Sequence, residues 1–412
     1  VRTSTNCPFS PHADVVPPVW AGREDQLRDW SDIVRPRRLA GLPERGRTIL
    51  GEPGLGKSSL LSKIAGDAAA HGDWVTRQLR IPSKADPLKV VAHAILKLAE
   101  TAGLATAREK RLGDLIERVS QISLKGYGLS LRESEGPEPF TSLTELLVEV
   151  GIAAMNQGDV VVLIHIDEVQ NIADEHMLSQ LLIALGDAMS REVQVRVPGG
   201  RLVDRLLPIS VYLTGLPDFA DMSSARRGAT FARRFATTTL ESFGDSDLEA
   251  ALQPFVLSGW EVPDDQGGIR CVTLEPSARD EILELCKGEP FLFQLAGEKA
   301  WYAGSTDAIT RDQVLKGWQQ AARDEAAGHV ERILDRLPGR ERELLDAMIE
   351  LPPKDRSLKN IALAMGFERS SQIGPIAQRL DTNRKIIERG RIYTFRNRAI
   401  EAYLSSDWPA HR

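Results

Sequence analysis

Gly51-Glu52-Pro53-Gly54-Leu55-Gly56-Lys57-Ser58-Ser59 is the stretch whose reading decides the fold. It fits G-x-x-x-x-G-K-[ST], the spacing of a phosphate-binding P-loop. Glycines let backbone N–H groups turn inward and cradle an anion. Lys57 would then reach the β- and γ-phosphates of a nucleotide, and the Ser58 hydroxyl would ligate Mg²⁺. Glu52, Pro53, Gly54, Leu55, Gly56 and Ser59 complete the candidate binding loop. The flanks agree with this reading. Arg47-Thr48-Ile49-Leu50 predicts a short strand, and 58–70 predicts a helix whose N-terminus faces the anion.

A second signal lies about a hundred residues on. Val160-Val161-Val162-Leu163-Ile164-His165-Ile166 is a continuous, β-branched apolar run, the pattern of a strand buried on both faces of a parallel sheet. It ends in Asp167-Glu168, where a strand's C-terminal edge binds ligands in α/β folds. Asp167 would sit in the Mg²⁺ shell, and Glu168 would orient and activate an attacking water. His165 is read as a packed side chain with no chemistry. Ile209 to Gly215 predicts a third core strand. Its Thr214 is either a γ-phosphate sensor or an ordinary residue before a turn. Thr237 to Leu240 predicts a fourth strand, preceded by Arg233 and Arg234. This pair would reach the γ-phosphate of a neighbouring subunit, or would simply favour a helix C-terminus.

Composition sets the surroundings. The chain has 412 residues, enough for two or three domains, and a net charge of −6. That charge argues against a wholly basic protein that coats nucleic acid, but leaves a local patch open. Cys7, Cys271 and Cys286 are few and scattered, which suits a reducing cytoplasm and offers no zinc spacing. No apolar leader or membrane-length run is visible, so cytoplasmic placement without a membrane partner is expected. Residues 1–18, with four prolines, predict a flexible or draped arm. After the P-loop helix come a strand over 74–81 and a helix opened by Asp86 and Pro87. A helix over 104–120, a strand or hairpin over 123–132 and a helix over 140–155, capped by Thr141 or Ser142, follow. An irregular insertion, a solvated loop or hairpin, is expected over 192–205. Beyond Glu275 the pattern turns helical, interrupted by Gly288-Glu289-Pro290.

Residues 338–404 predict a winged helix-turn-helix. Its helices fall over 340–350, 357–365 and 370–380, and a hairpin over 386–395 has Arg389-Gly390-Arg391 at its tip. Between 354 and 398 there are eleven cations and four acids, a local charge of +7. Arg379, Arg384, Arg389 and Arg391 are the candidate phosphate contacts on nucleic acid. A winged helix that packs on protein instead is the competing reading.

With these pieces placed, 19–405 resembles the P-loop ATPases that join the AAA+ initiator type to the STAND signalling type. Ala21-Gly22-Arg23-Glu24 is similar to the box that opens such domains beside the adenine, which implies nucleotide contacts for Gly22 and Arg23. Asp167-Glu168 resembles their Walker B pair, and Thr214 falls at the sensor 1 place. Gly288-Glu289-Pro290 resembles the G-x-P lid motif, which implies that Pro290 packs near the nucleotide. The expected architecture is a parallel α/β ATPase domain over 19–262, a helical lid over 263–337 and a winged helix over 338–412. The expected function is an ATP-binding, ATP-hydrolysing switch using ATP/ADP and Mg²⁺, assembling on ATP and acting through the winged helix. Alternatives are a DNA-binding regulator or loader of the transposition type, and a scaffold whose winged helix docks a partner protein.

Overall fold

The structure is a computed structural model that describes residues 2–12, 15–104, 139–196, 198–219, 233–263 and 268–410. The helix expected over 104–120 and the hairpin expected over 123–132 fall outside the described residues, apart from Leu104. The chain forms two compact units. One comprises Val1–Gly22, Gly51–Ser59 and Thr239–Arg412. The other comprises Arg23–Leu50 and Leu60–Thr238.

The second of these units carries the central sheet. Its strands are β1 (Gly46–Leu50), β2 (Trp74–Val75), β3 (Leu79–Arg80), β4 (Val162–Asp167), β7 (Ile209–Gly215) and β8 (Phe235–Thr239). They run in the order β2-β4-β7-β1-β8, with β3 also paired to β4. The pairings of β1 with β7, and of β4 with β7, β2 and β3, are parallel. All six residues of β4 and all seven of β7 are buried. That is why neither strand alternates in sequence: both faces need apolar side chains. The second strand expected over 74–81 is broken in two, both pieces pairing with β4. His165 is the polar residue within the apolar run of β4, ahead of the terminal Asp167. It is packed against the Thr76 hydroxyl at 3.2 Å, and burial pushes its pKa down to about 4.

Helices close over this sheet. Asp86 caps Pro87–Thr101 by accepting from the N–H groups of Leu88 and Lys89. The helix Pro139–Gln157 starts earlier than expected, so Thr141 and Ser142 lie inside it and do not cap it. Of the loop and hairpin readings of the insertion over 192–205, the structure has the hairpin: β5 (Glu192–Arg196) and β6 (Leu202–Leu206) pair antiparallel. Burial in both strands alternates residue by residue, the signature of a ribbon with one face in water.

The other unit has its own core. A three-stranded sheet of β9 (Trp260–Pro263), β10 (Ile269–Leu274) and β11 (Ala308–Ile309) was not foreseen. Around it pack the helices Asp245–Leu257, Pro276–Cys286, Pro290–Tyr302 and Arg311–Ala321. The C-terminal stretch holds helices Gly339–Glu350, Leu358–Ala364 and Gly374–Gln378, the last continued by wider turns over Arg379–Asn383. A hairpin of β12 (Ile387–Glu388) and β13 (Thr394–Phe395) follows, then helix Arg398–Ser405.

Two features bear on the expected division of the chain. The first concerns residues 338–412, whose buried apolar side chains join those of earlier helices. One continuous hydrophobic cluster runs from Phe9 through Trp301 and Trp318 to Ile387 and Ile400. Trp318 and Trp408 tie the C-terminus down by donating to the carbonyls of Pro409 and Leu285. The second concerns the N-terminal arm. Phe9 is 2% exposed, between Phe255 and Phe293. Gly297 makes room for it, since a Cβ there would collide with the Phe9 ring. Arg2 donates to the Ala300 carbonyl, and Trp301 donates to the Thr3 carbonyl. An arm that supplies an aromatic ring to a core is held by it, whatever its proline content. Among the described residues no helix is long and apolar enough to cross a membrane.

Candidate functional site

The P-loop leaves β1 at Leu50 and enters the helix Lys57–Ala70. Gly54 and Gly56 have φ of +83° and +78°, in the left-handed region that side chains avoid. Gly56 is the second glycine of the G-x-x-x-x-G spacing, and Gly54 is an additional glycine between its two ends. Lys57 is buried, and its ammonium donates to the carbonyls of Gly51 at 2.9 Å and Glu52 at 3.1 Å.

Side chains distant in sequence back the loop. The Phe291 N–H donates to the Gly54 carbonyl at 3.2 Å, at the start of the helix opened by Pro290. Pro290 itself is buried. His329 lies so close to Gly54 that a Cβ there would strike its ring. The same ring packs on Phe291, with centroids 4.8 Å apart. Its Nε2 faces the fully buried Glu289 at 3.5 Å. Glu289 also accepts from Ser242 at 2.6 Å and Asn397 at 2.7 Å. Gly22 has φ +58° and lies against Phe243. Arg23 begins the helix Glu24–Arg28 in a left-handed conformation.

The carboxylate pair belongs to the sheet unit. The registers align Leu50 with Gly215, and Ile166 with Leu213, so β1, β4 and β7 end at one edge. Asp167, at the end of β4, is fully buried. Its Oδ2 accepts from Gln78 at 2.8 Å and from Arg80 Nη2 at 2.9 Å, while Oδ1 accepts from the Thr214 hydroxyl. The same hydroxyl accepts from the Glu168 N–H at 3.2 Å. Glu168 has φ +58°, outside the strand conformation. Gln170 donates to the Glu168 carboxylate and accepts from the Leu216 N–H at 3.1 Å. Thr214 therefore joins both carboxylate residues, and Gln170 fixes the second to the turn after β7.

Gln78, Arg80 and Gln170 escaped the sequence reading. Gln170 carries a signal in retrospect, two positions beyond an acidic pair at a strand end. His329 carries none, because its partners Gly54 and Glu289 are far away in sequence.

Of the two candidate finger arginines, Arg234 is ion-paired with Asp187 and packs on Gly186. Arg233 is exposed.

The C-terminal cations differ most from expectation. Arg384 was a candidate nucleic-acid contact, yet it is 4% exposed and ion-paired with Glu52 and Glu341. Arg379 pairs with Glu341 and Arg389 with Asp381. Arg396 reaches Asp381 and Glu241, and Arg398 reaches Asp245. Among the described residues, exposed Arg391 has no ion pair, unlike the other three candidate phosphate contacts.

No family model and no curated protein sequence matches this chain. Solved structures do. The ORC2 protein of Aeropyrum pernix, determined in ADPNP–ADP complexes, aligns with a TM-score of 0.53 at 15% identity, over 95% of this chain and 96% of that one. A Walker-type ATPase of Pyrococcus abyssi aligns with a TM-score of 0.52 at 15% identity, over 93% of this chain and 96% of that one. The chain has the fold of the AAA+ P-loop ATPases.

Proposed function

We propose that the protein is an ATP-binding and ATP-hydrolysing switch whose nucleotide state controls its assembly and its C-terminal segment. One observation carries this reading: β1 and β4, both paired to β7, end at the same sheet edge. One of them runs directly into Gly51-Glu52-Pro53-Gly54-Leu55-Gly56-Lys57-Ser58, the other into Asp167-Glu168.

Lys57 would bind the β- and γ-phosphates and Gly22, Arg23 and Pro290 would frame the base and ribose side. Ser58 and Asp167 would each offer Mg²⁺ a hard oxygen, and Mg²⁺ bound with a nucleotide needs only one or two protein ligands. Among the described residues no cluster of three or more His, Cys, Asp or Glu could hold a metal alone, which agrees with an ion that arrives with phosphate. When bound, Mg²⁺ would offset charge on the phosphates. Glu168 would accept a proton from the attacking water. The water oxygen would bond to the γ-phosphorus as its bond to the β–γ bridging oxygen breaks, giving ADP and phosphate. Thr214 and Gln170 would keep Glu168 in place. Exposed Arg233 is the better candidate for a finger acting on a second copy.

The helices and hairpin over 339–395 are read as a winged helix acting on duplex DNA. Exposed Lys354, Lys359, Arg369 and Arg391 support that reading. The ion pairing of its other arginines favours the second reading, a docking surface for a partner protein. The three thiols are unpaired, which supports a reducing cytoplasm.

Lys57→Ala tests the nucleotide reading. It removes a point charge that backbone amides do not replace, so ATP binding by calorimetry should be lost. Parental affinity would refute the assignment.

A further inference from the structure

Glu52 is an anomaly in its own loop. A P-loop binds anions, yet this one holds a carboxylate that is 1% exposed, and the Glu52 carbonyl is also an acceptor for the Lys57 ammonium. A buried carboxylate beside incoming phosphates opposes them unless its charge is offset.

The offsetting charge comes from 332 residues away. Arg384 Nη1 donates to Glu52 Oε1 at 2.9 Å, and its Nε donates to Glu341 Oε2 at 2.5 Å. Arg379 Nε donates to the other oxygen of Glu341 at 2.9 Å. The series Arg379, Glu341, Arg384, Glu52 thus alternates in sign. Glu341, Arg384 and Glu52 are each less than 5% exposed. The backbone helps to set Arg384: its N–H bonds to the Arg379 carbonyl at 3.0 Å, and Lys385 turns the chain with φ +58°.

We propose that Arg384 is a positioning residue of the phosphate site. It offsets the charge of Glu52 and so makes the P-loop more receptive to nucleotide while the C-terminal segment is seated on the loop. The consequence is a coupling. Whatever draws the C-terminal segment away takes the Arg384 cation off Glu52 and weakens nucleotide binding, and by linkage bound nucleotide favours the seated segment. This inference rests on the nucleotide reading above and adds a control element to it.

The test is a charge-swap cycle on the full chain, read by titration with a fluorescent ADP analogue and Mg²⁺. Arg384→Met should weaken binding about tenfold or more, the effect of one unit charge over roughly 10 Å at an effective dielectric near 20. Glu52→Gln removes the opposing anion and should tighten binding. The double variant should recover most of what Arg384→Met lost, because Glu341 keeps Arg379 and no carboxylate remains in the loop. A purely structural role for Arg384 would give no such rescue. Circular dichroism confirms that each variant is folded. If Arg384→Met does not fold, the double variant decides: tight binding supports the proposal and weak binding by a folded protein overturns it. Parental affinity in Arg384→Met, or a loss that Glu52→Gln does not restore, also overturns it. Parental protein that binds no nucleotide, with or without Lys57, would overturn the nucleotide reading and this inference together. Binding that is lost in Lys57→Ala but indifferent to Arg384 would overturn this inference alone.

Discussion

Thr214→Val isolates one hydroxyl with two duties. Thr214 is fully buried, and its Oγ1 donates to Asp167 and accepts from the Glu168 N–H at 3.2 Å. Valine keeps the shape and replaces the hydroxyl with a methyl group. The variant loses a hydrogen bond to a charged acceptor, about 1.5–3 kcal/mol, and leaves the Glu168 N–H without its partner, about 1–3 kcal/mol. A combined loss of about 3 kcal/mol in the sheet unit is expected. Thr214→Ser keeps both hydrogen bonds and removes one methyl group, at about 1 kcal/mol. The functional effect should be larger than the stability effect. Glu168 sits at φ +58°, and a carboxylate displaced by about 1 Å from its productive position loses about 10²-fold in rate. The assay pairs urea unfolding with steady-state phosphate release for the Val and Ser variants. Equal turnover and equal midpoints in the two variants would refute the role given to the hydroxyl.

Glu168→Gln should bind ATP and release little phosphate, since the amide keeps the shape and removes the proton acceptor; parental turnover would exclude Glu168 as the catalytic carboxylate. Arg233→Ala should lower hydrolysis by about 10³-fold in assembled protein while monomers still bind ATP. Arg234→Ala should act on stability instead, because it breaks the pair with Asp187, and identical rate losses in both variants would remove the distinction. Arg391→Ala should weaken duplex DNA binding and make its salt slope shallower by about 1. Absence of salt-dependent DNA binding in the parental protein, in every nucleotide state, would favour the protein-docking reading.

How much of this was legible in the sequence follows from the range of the forces involved. The P-loop is local, since its glycines are needed for backbone angles of the loop itself. Strands β4 and β7 are also local in signal, because burial on both faces writes itself as an unbroken apolar run. The Asp86 cap and its helix are local too. The N-terminal arm is not. Its prolines describe the backbone, while its fate is set by Phe9 meeting Phe255, Phe293 and the missing side chain of Gly297. The support of the site lies on the same side of that line: Arg80 and Gln78 reach Asp167 from a neighbouring strand region, and His329 reaches Gly54 from a distant helix.

Charge shows the difference most clearly. A window over 354–398 counts +7, and such a window implies a surface seeking phosphate. The count does not decide by itself, because an ion pair forms within a few ångströms in space, at any separation in sequence. Glu341 and Glu401 lie just outside the window, Glu241 and Asp245 more than a hundred residues before it, and Glu52 in the P-loop. Together they engage Arg379, Arg384, Arg356, Arg396 and Arg398. Asp381, inside the window, engages Arg389 and Arg396. An excess of arginine over nearby acid is therefore ambiguous by itself. It describes a nucleic-acid surface when the guanidinium groups stand in water, and an internal joint when they point inward. Arginine suits the second use, being always charged, planar and able to serve two carboxylates at once. Arg384 does so between Glu52 and Glu341, which moves a residue picked out for binding DNA to the back of the phosphate-binding loop.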